Sequence, residues 1–273
     1  LQAMLPLEQG WAEPPQIAKT RVYWWWLNGN TDKPTITREL EAMAAVGIGG
    51  GLVMDAGGDN KQGNERLPHG PDFASPEWNE LFAHAVREAD RLGLVLGLNI
   101  QSGWNLGGPN VTVEDSSKRA SFSIISVEGG TPLRVDLPQP EAHLDFYRDV
   151  AVLAWPVPEA AAAVDNIAQK AYFKYPGHFT AASTWHLLED KAGPITCRAD
   201  QVVDLSAKMD AKGHLEWDAP AGRWEIMRFG YTSTGAHVST HSENAGGLAI
   251  DYLDSATFDR YWEQTVEPIL EKV

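Results

Sequence analysis

The chain has 273 residues, of which 43% are hydrophobic and 22% charged, as in an ordinary globular protein with a sizeable core. Its formal net charge of −15 would repel a nucleic-acid backbone or an anionic membrane surface, so we expect neither as a partner. The single cysteine, Cys197, excludes an intrachain disulfide and is interpreted as a small buried hydrophobic residue. No apolar run reaches the roughly 18 residues that a membrane-spanning helix needs.

The first part of the chain predicts a lead-in followed by a strand, a helix and a second strand. Residues 1–20 are rich in proline and lack periodicity, which predicts an extended lead-in. The apolar pattern then predicts a strand that ends at Asn28, a helix over residues 35–46 and a strand over residues 50–55 that ends at Asp55. In a βαβ unit these two polar side chains lie on one rim. The consecutive tryptophans 24–26 are either a platform for a sugar ring or, as strand tryptophans more often are, core residues.

The next elements continue the pattern. Ser75 and Pro76 predict the start of a helix that runs to residue 91, and residues 94–100 predict a third strand. The long polar loop between Asp55 and Phe73 fits a ligand-binding loop or a mobile surface loop equally well. A further helix is expected to begin at residues 112–115. Several side chains at the end of the third strand should converge on the same rim, namely Asn99, Gln101, Ser102, Trp104 and Asn105.

The texture changes at about residue 120. Short alternating runs separated by Gly- and Pro-rich turns predict an inserted antiparallel, β-sandwich-like domain over residues 120–235, with a hairpin at 215–226 and a short helix at 159–168. Residues 236–273 restore the first pattern, with a strand over 246–253, Asp251 near its end, and a helix capped by Ser255. The predicted fold class is therefore α/β: a partial (β/α)8 TIM barrel, with its first strand-helix units in residues 21–119, interrupted by a β insertion.

The motifs exclude several chemistries. The sequence has no nucleophile elbow and no P-loop, and the glycines at 47–51 precede a strand instead of following one, which argues against dinucleotide binding. His237 and His241 have helical zinc spacing but lack the glutamate of that motif, so we predict no metal ligands in this chain. Carboxylates remain: Asp55 and Asp251 are the in-chain candidates for an acid, a base or a sugar contact. Each could equally cap a helix or pair with an arginine.

Four segments together resemble glycoside hydrolase family 106, the α-L-rhamnosidases. They are VYWWWLNGN at residues 22–30, ITRELEAMAAVGIGG at 36–50, SGWNLGGPNVT at 102–112 and GGLAIDY at 246–252. The resemblance implies a (β/α)8 catalytic barrel with β insertions, export to the periplasm or cell exterior, and calcium-assisted, inverting hydrolysis of terminal α-L-rhamnosyl units of plant or microbial polysaccharides and glycosides.

Members of that family are several times longer than this chain. The resemblance therefore implies an amino-terminal fragment whose partner is the missing carboxyl-terminal part of the same protein. The catalytic acid and base and the calcium ligands are expected beyond residue 273. Half a barrel would leave an open sheet edge, so we expect the isolated fragment to be poorly stable.

These inferences lead to one prediction for the site and two alternatives for the function. The alternatives are a non-catalytic carbohydrate-binding module, in which tryptophans and amides bind sugar without chemistry, and a TIM-barrel glycosidase that acts on another sugar. The predicted contacts to a carbohydrate substrate are Asn28, Asp55, Asn99, Trp104, Asn105 and Asp251.

Overall fold

The computed structural model describes residues 7–57, 67–158 and 197–273. Its contacts divide the chain into two compact units. The first, here called the α/β unit, comprises Leu1–Arg119, His143–Phe146 and Ser233–Val273. The second, the β unit, comprises Ala120–Ala142 and Tyr147–Thr232. The four residues 143–146 thus group with the α/β unit, although the expected insertion ran without a break from 120 to 235.

The strands and helices follow one another along the chain with short connections. The strands are β1 (Arg21–Leu27), β2 (Gly50–Ala56), β3 (Val95–Ser102), β4 (Gly107–Gly108), β5 (Lys118–Gly129), β6 (Pro132–Asp136), β7 (Tyr147–Pro156), β8 (Val203–Asp204), β9 (His214–Asp218), β10 (Gly222–Ser233) and β11 (Leu248–Ala249). The α-helices are α1 (Leu7–Ala12), α2 (Lys33–Ala45), α3 (Pro76–Leu92), α4 (Ser255–Tyr261) and α5 (Glu267–Leu270), with a π-helical stretch, Trp262–Val266, between the last two. Short 3-10 turns occupy Gln16–Ala18, His143–Asp145, Ala199–Gln201, Ser206–Lys208 and Glu243–Ala245.

A parallel three-stranded sheet, ordered β1-β2-β3, forms the centre of the α/β unit. Successive side chains of a strand point to opposite faces, so Trp24 and Trp26 face helices α2 and α3, where both are buried. Ile36 of α2 and Trp78 of α3 are fully buried in the same core. Burial of these large side chains drives the association of the helices with the sheet, at roughly 25 cal/mol for each Å² of apolar surface.

The helix boundaries follow from their caps. Asp32 accepts a hydrogen bond from the Thr35 backbone N–H (2.8 Å) at the start of α2, and Ser75 accepts one from the Trp78 N–H at the start of α3. Gly93 ends α3 in the left-handed conformation (φ 67°). The predicted strands and helices of this segment are confirmed, with boundaries that move by one or two residues.

Three expectations for the α/β unit are wrong. The lead-in is not extended throughout, because α1 forms before Pro14 and Pro15, which cannot continue it. Residues 112–115 form a turn instead of a helix start. The strand expected over 246–253 shrinks to β11, which pairs antiparallel with β4 and so is not a parallel strand of a barrel. Within the described residues the parallel strands form an open sheet, and no closed barrel is observed.

The β unit contains a four-stranded sheet, β5-β10-β7-β8, and a two-stranded antiparallel sheet, β6-β9. Residues 215–226 are not a hairpin, because β9 and β10 belong to different sheets, and Pro220 in their connection lacks a backbone donor for a strand ladder. Trp217 and Trp224 instead meet edge to face in the shared core, with ring centroids 4.9 Å apart. The β unit is therefore organised around a core to which both sheets contribute.

Two further predictions concern single segments. Cys197 is half-buried, so its interpretation as a buried hydrophobic residue is wrong. The helix expected at 159–168 lies outside the described residues. None of the described helices is long and apolar enough to cross a membrane.

Candidate functional site

The carboxyl ends of β1, β2 and β3 lie at one edge of the parallel sheet and carry the predicted polar side chains. Asn28 follows β1 in the left-handed conformation (φ 53°), and its backbone N–H donates to the Ala56 carbonyl at 2.7 Å. The next residue, Gly29, also has a positive φ, and a Cβ there would lie 2.1 Å from the Pro71 carbonyl oxygen. Only glycine fits this turn, which fixes how the chain leaves β1.

Asp55 is the centre of a buried hydrogen-bond network at this edge. Its carboxylate accepts from the Ser102 hydroxyl at 2.5 Å, the Ser242 hydroxyl at 2.7 Å and the Trp78 indole N–H at 3.1 Å. The Ser242 backbone N–H in turn donates to the Ser102 hydroxyl at 2.7 Å. Because Asp55 pairs with Trp26 in the sheet register, it lies on the face that contacts the helices, and it is fully buried.

This network joins three segments that are distant in sequence. The backbone carbonyl of Asp55 accepts from the Gly103 N–H (2.9 Å), and the Gly57 N–H donates to the Thr240 carbonyl (3.0 Å). Gly103 also packs against residues 239–240 so closely that a Cβ would lie 2.1 Å from the Ser239 carbonyl oxygen. The loop after β3 and the loop before β11 are therefore held against the end of β2.

The charge of Asp55 has neutral hydrogen-bond partners. Burial raises the pKa of its carboxyl group, an effect that the hydrogen bonds from Ser102, Ser242 and Trp78 oppose and the charge of Asp72 reinforces. Perturbed carboxyl groups of this kind are concentrated at functional sites. With both oxygens occupied by protein donors, the arrangement supports a role in holding the loops and not a direct contact with substrate.

The consecutive tryptophans divide between core and surface. Trp24 and Trp26 are core residues, whereas Trp25, on the opposite face of β1, is 41% exposed. The loop after β3 places Trp104, which is half exposed, edge to face against Trp25 with ring centroids 5.3 Å apart. Both interpretations of the tryptophans thus apply, to different members of the run. Trp25 and Trp104 form an exposed aromatic pair at the carboxyl edge of the sheet.

The amide side chains of this loop shape it. The Asn99 side chain donates to the carbonyls of Gln101 (3.3 Å) and Gly103 (3.0 Å), and Asn105 accepts from the Ser239 backbone N–H at 3.1 Å. The position of the aromatic pair thus depends on these amides. Asp251 instead accepts the Leu253 N–H (3.0 Å) in the turn before α4. That contact agrees with the alternative interpretation of Asp251 as a local capping residue.

Residues 12–273 match the α-L-rhamnosidase family, glycoside hydrolase family 106. The chain belongs to this family. The resemblance noted in the sequence is thereby confirmed. A putative β-glucuronidase from Formosa agariphila is 35% identical over 272 residues, which cover 98% of this chain and 22% of that protein. The solved structure of a rhamnosidase from Novosphingobium sp. PP1Y has the same fold, with a TM-score of 0.74 at 24% identity, over 98% of this chain and 38% of the other. The family 106 chain thus spans less than half the length of either relative.

Sequence reasoning missed Trp78 and Ser242 as partners of Asp55. Trp78 fits the apolar stripe of α3, so its indole N–H carries no separate signal, and Ser242 lies in an irregular polar loop 187 residues from Asp55. The histidine pair is confirmed as unsuited to zinc: His237 and His241 contact the carbonyls of Gly235 and Ser242. The described part of the chain offers no group of three His, Cys, Asp or Glu side chains that could hold a metal.

Proposed function

We propose that this chain is part of a glycoside hydrolase that removes terminal α-L-rhamnosyl residues with inversion. Membership of family 106 over residues 12–273 carries the proposal. In it, the carboxyl edge of β1–β3 contributes to the sugar-binding surface of a (β/α)8 barrel that the rest of a longer protein completes. The β unit would be a sandwich-like insertion, and the protein would act in the periplasm or outside the cell.

The aromatic pair and the loop amides support a neutral sugar as ligand. An indole face packs against the C–H groups of a pyranose, and a 6-deoxy sugar adds a methyl group to that apolar surface. Of the six predicted contact residues, Asp55 and Asp251 are acidic and the other four are neutral. A rhamnosyl group fits such a surface better than a uronic acid, whose carboxylate would need a cation.

A glucuronidase is the second candidate, because the Formosa relative at 35% identity is named a putative β-glucuronidase. That function would require an arginine or lysine near the sugar carboxylate. Net charge −15 argues in the same direction as the rim, since an acidic surface repels an anionic sugar. We therefore rank the rhamnoside first. A non-catalytic binding module is the third possibility and predicts sugar binding without hydrolysis.

The acid and base of the reaction belong, in this proposal, to other parts of the longer protein. Inversion needs two carboxyl groups about 6.5–9.5 Å apart with room for a water molecule between them. Asp55 is fully buried under three protein donors, and Asp251 is engaged in a turn. The described residues also do not fit a calcium site by themselves, so no step is assigned to calcium here.

Hydrolysis of an aryl α-L-rhamnoside and an aryl β-D-glucuronide by the protein extended to its natural ends would test the proposal. We expect release of the aryl group from the rhamnoside alone, with β-L-rhamnose as the first product in NMR spectra. Trp104→Ala should raise KM about tenfold, which is about 1.4 kcal/mol of lost binding. Trp11→Ala is a matched control, because Trp11 is 87% exposed and lies in α1. Cleavage of the glucuronide, or binding without cleavage of either compound, would overturn the assignment.

A further inference from the structure

The α/β unit contains a cavity of about 220 Å³ beside the loop that carries Trp104. Its walls include the buried residues Phe73, Ala245 and Tyr261 and the buried Ser102 at the end of β3. The Tyr261 hydroxyl donates to the Ile100 carbonyl at 2.7 Å, so the hydroxyl group is already used by the protein. Phe73, Ala245 and the ring of Tyr261 thus give the cavity an apolar and partly aromatic wall.

Polar side chains surround the opening of the cavity. Asn110, Asn244 and Gln264 are exposed, and Thr265 is partly buried between them and the wall. The Asn244 side-chain N–H donates to the Phe73 carbonyl at 3.0 Å and leaves its amide oxygen available as an acceptor. Amide and hydroxyl groups both donate and accept, which suits the hydroxyl groups of a sugar.

The helix that supplies two of these residues is irregular where they occur. Gln264 and Thr265 lie in the π-helical stretch Trp262–Val266 between α4 and α5. A π-helical turn is rare because its hydrogen-bond geometry is poor, and such turns are found frequently at functional sites. The irregularity is therefore a second observation, independent of the cavity itself, that points to a ligand here.

The cavity is uncharged in a strongly acidic protein. All of the residues that line it are neutral, although the chain carries 37 acidic and 22 basic residues. Ligand pockets for drug-sized molecules measure about 300–1,000 Å³, so this smaller volume suits a single ring instead of an oligosaccharide. Charge and size together select a small neutral ligand with hydroxyl groups.

We propose that this cavity is a subsite that binds one neutral sugar ring, with an apolar face of the ring against Tyr261 and Phe73 and its hydroxyl groups on Asn110, Gln264 and Thr265. The inference rests on the proposed function, because it takes the ligand to be a carbohydrate. It deepens that function: residues of the C-terminal helical segment, which the sequence indicated only as the resumption of a barrel, contribute to recognition of the sugar chain.

The test uses the protein extended to its natural ends and L-rhamnose as the probe. Crystals soaked in L-rhamnose should show a sugar ring in the cavity, and calorimetric titration should show a binding event that Gln264→Trp, whose indole would block the opening, weakens at least tenfold. Gln264→Ala removes one hydrogen-bonding group and should weaken the same event about threefold to tenfold. Glu263→Ala is the control, since this exposed neighbour does not line the cavity.

Each outcome supports or overturns the subsite. Rhamnose density in the wild-type cavity and its loss in Gln264→Trp would support it, and equal binding by wild type and both Gln264 variants would overturn it. A cavity that is empty at saturating rhamnose, or filled by another part of the polypeptide, would also overturn it. Failure to hydrolyse the aryl rhamnoside is a separate result, because it would remove the proposed function while a bound sugar in the cavity still demonstrated the subsite.

Discussion

The two units of this protein bury a charge in opposite ways. In the α/β unit, the carboxylate of Asp55 is fully buried and bonded to two hydroxyl groups and an indole, all neutral. In the β unit, the Arg228 guanidinium, with 6% of its side chain exposed, makes two hydrogen bonds of 2.8 Å to Asp149 and one to the Leu137 carbonyl. One charge is compensated by an opposite charge, and the other is not.

The pKa shifts of the two aspartates follow from this difference. The hydrogen bonds and charge of Arg228 lower the pKa of Asp149, whereas burial raises the pKa of Asp55. An ion pair such as Asp149–Arg228 braces a β unit. A buried carboxylate without a cation is costly and persists where its position is needed, which supports a positioning role at the proposed sugar-binding edge.

The largest expected effect on stability comes from breaking the ion pair. Asp149→Asn leaves Arg228 buried without its counter-charge, a change that costs about 3–5 kcal/mol at a fully buried pair. Because 37% of the Asp149 side chain is exposed, we expect about 2–3 kcal/mol at pH 7, measured by urea unfolding. Activity per folded molecule should not change, and a loss below about 0.5 kcal/mol would show that the pair is a surface contact in effect.

Asp55→Asn is the matched substitution in the α/β unit and should cost less stability. It removes a desolvated charge, but it places an amide N–H₂ against groups that donate, so the two changes partly cancel. We expect a loss of about 1 kcal/mol at pH 7. The KM for an aryl rhamnoside should nevertheless rise severalfold, because the loop that carries Trp104 is no longer held. An unchanged KM, or a kcat that falls to zero while KM is constant, would contradict the positioning role.

The sequence predicted the local elements well and the network poorly, for one physical reason. Strands β1–β3 and helices α2 and α3 are encoded by periodicity and caps within a dozen or so residues, such as the Ser75 cap and the Gly93 stop. The partner of Asp55 in the last third of the chain is instead fixed by tertiary packing. The same holds for β11, whose pairing with β4 needs the close approach of Gly247 and Gly108.

The side-chain directions were only half predictable. Alternation in β1 requires that Trp25 face away from Trp24 and Trp26, and this much follows from sequence. Which face meets the helices depends on the packing of α2 and α3, so the exposed member could not be named in advance. The predicted convergence of Asp55 with the solvent-exposed rim was uncertain for the same reason, because Asp55 shares the helix-facing side with Trp26.

A double-mutant cycle tests whether Asp55 acts through the serines. Ser242→Ala alone removes one donor to the carboxylate and one contact between the two loops, and Asp55→Asn removes the acceptor. We expect a coupling energy of about 1 kcal/mol between the two substitutions in urea unfolding. Ser239→Ala with Asp55→Asn is the control pair, since the Ser239 side chain bonds to Asn105 instead. Additive effects in the first pair would place the carboxylate's contribution elsewhere.

The smallest effects are in the pH dependence, where the two aspartates should give opposite signs. Asp149 has a lowered pKa, so its stabilisation is present above the ordinary value of about 3.9 and is lost as the pH falls through the lowered value. Asp55 has a raised pKa, so the folded state holds its proton more tightly, and its contribution is present below about 3.9 and is lost as the pH rises through the raised value.

Comparison of each Asn variant with the wild type isolates one group at a time, since the remaining titrations are shared. The cost of Asp149→Asn should therefore grow as the pH rises from about 2 to about 5, whereas the cost of Asp55→Asn should shrink as the pH rises from about 4 to about 8. Urea unfolding at a series of pH values measures both slopes. Slopes of the same sign would mean that Asp55 is stabilised as an anion, and the contrast between the two units would then be one of geometry and not of charge.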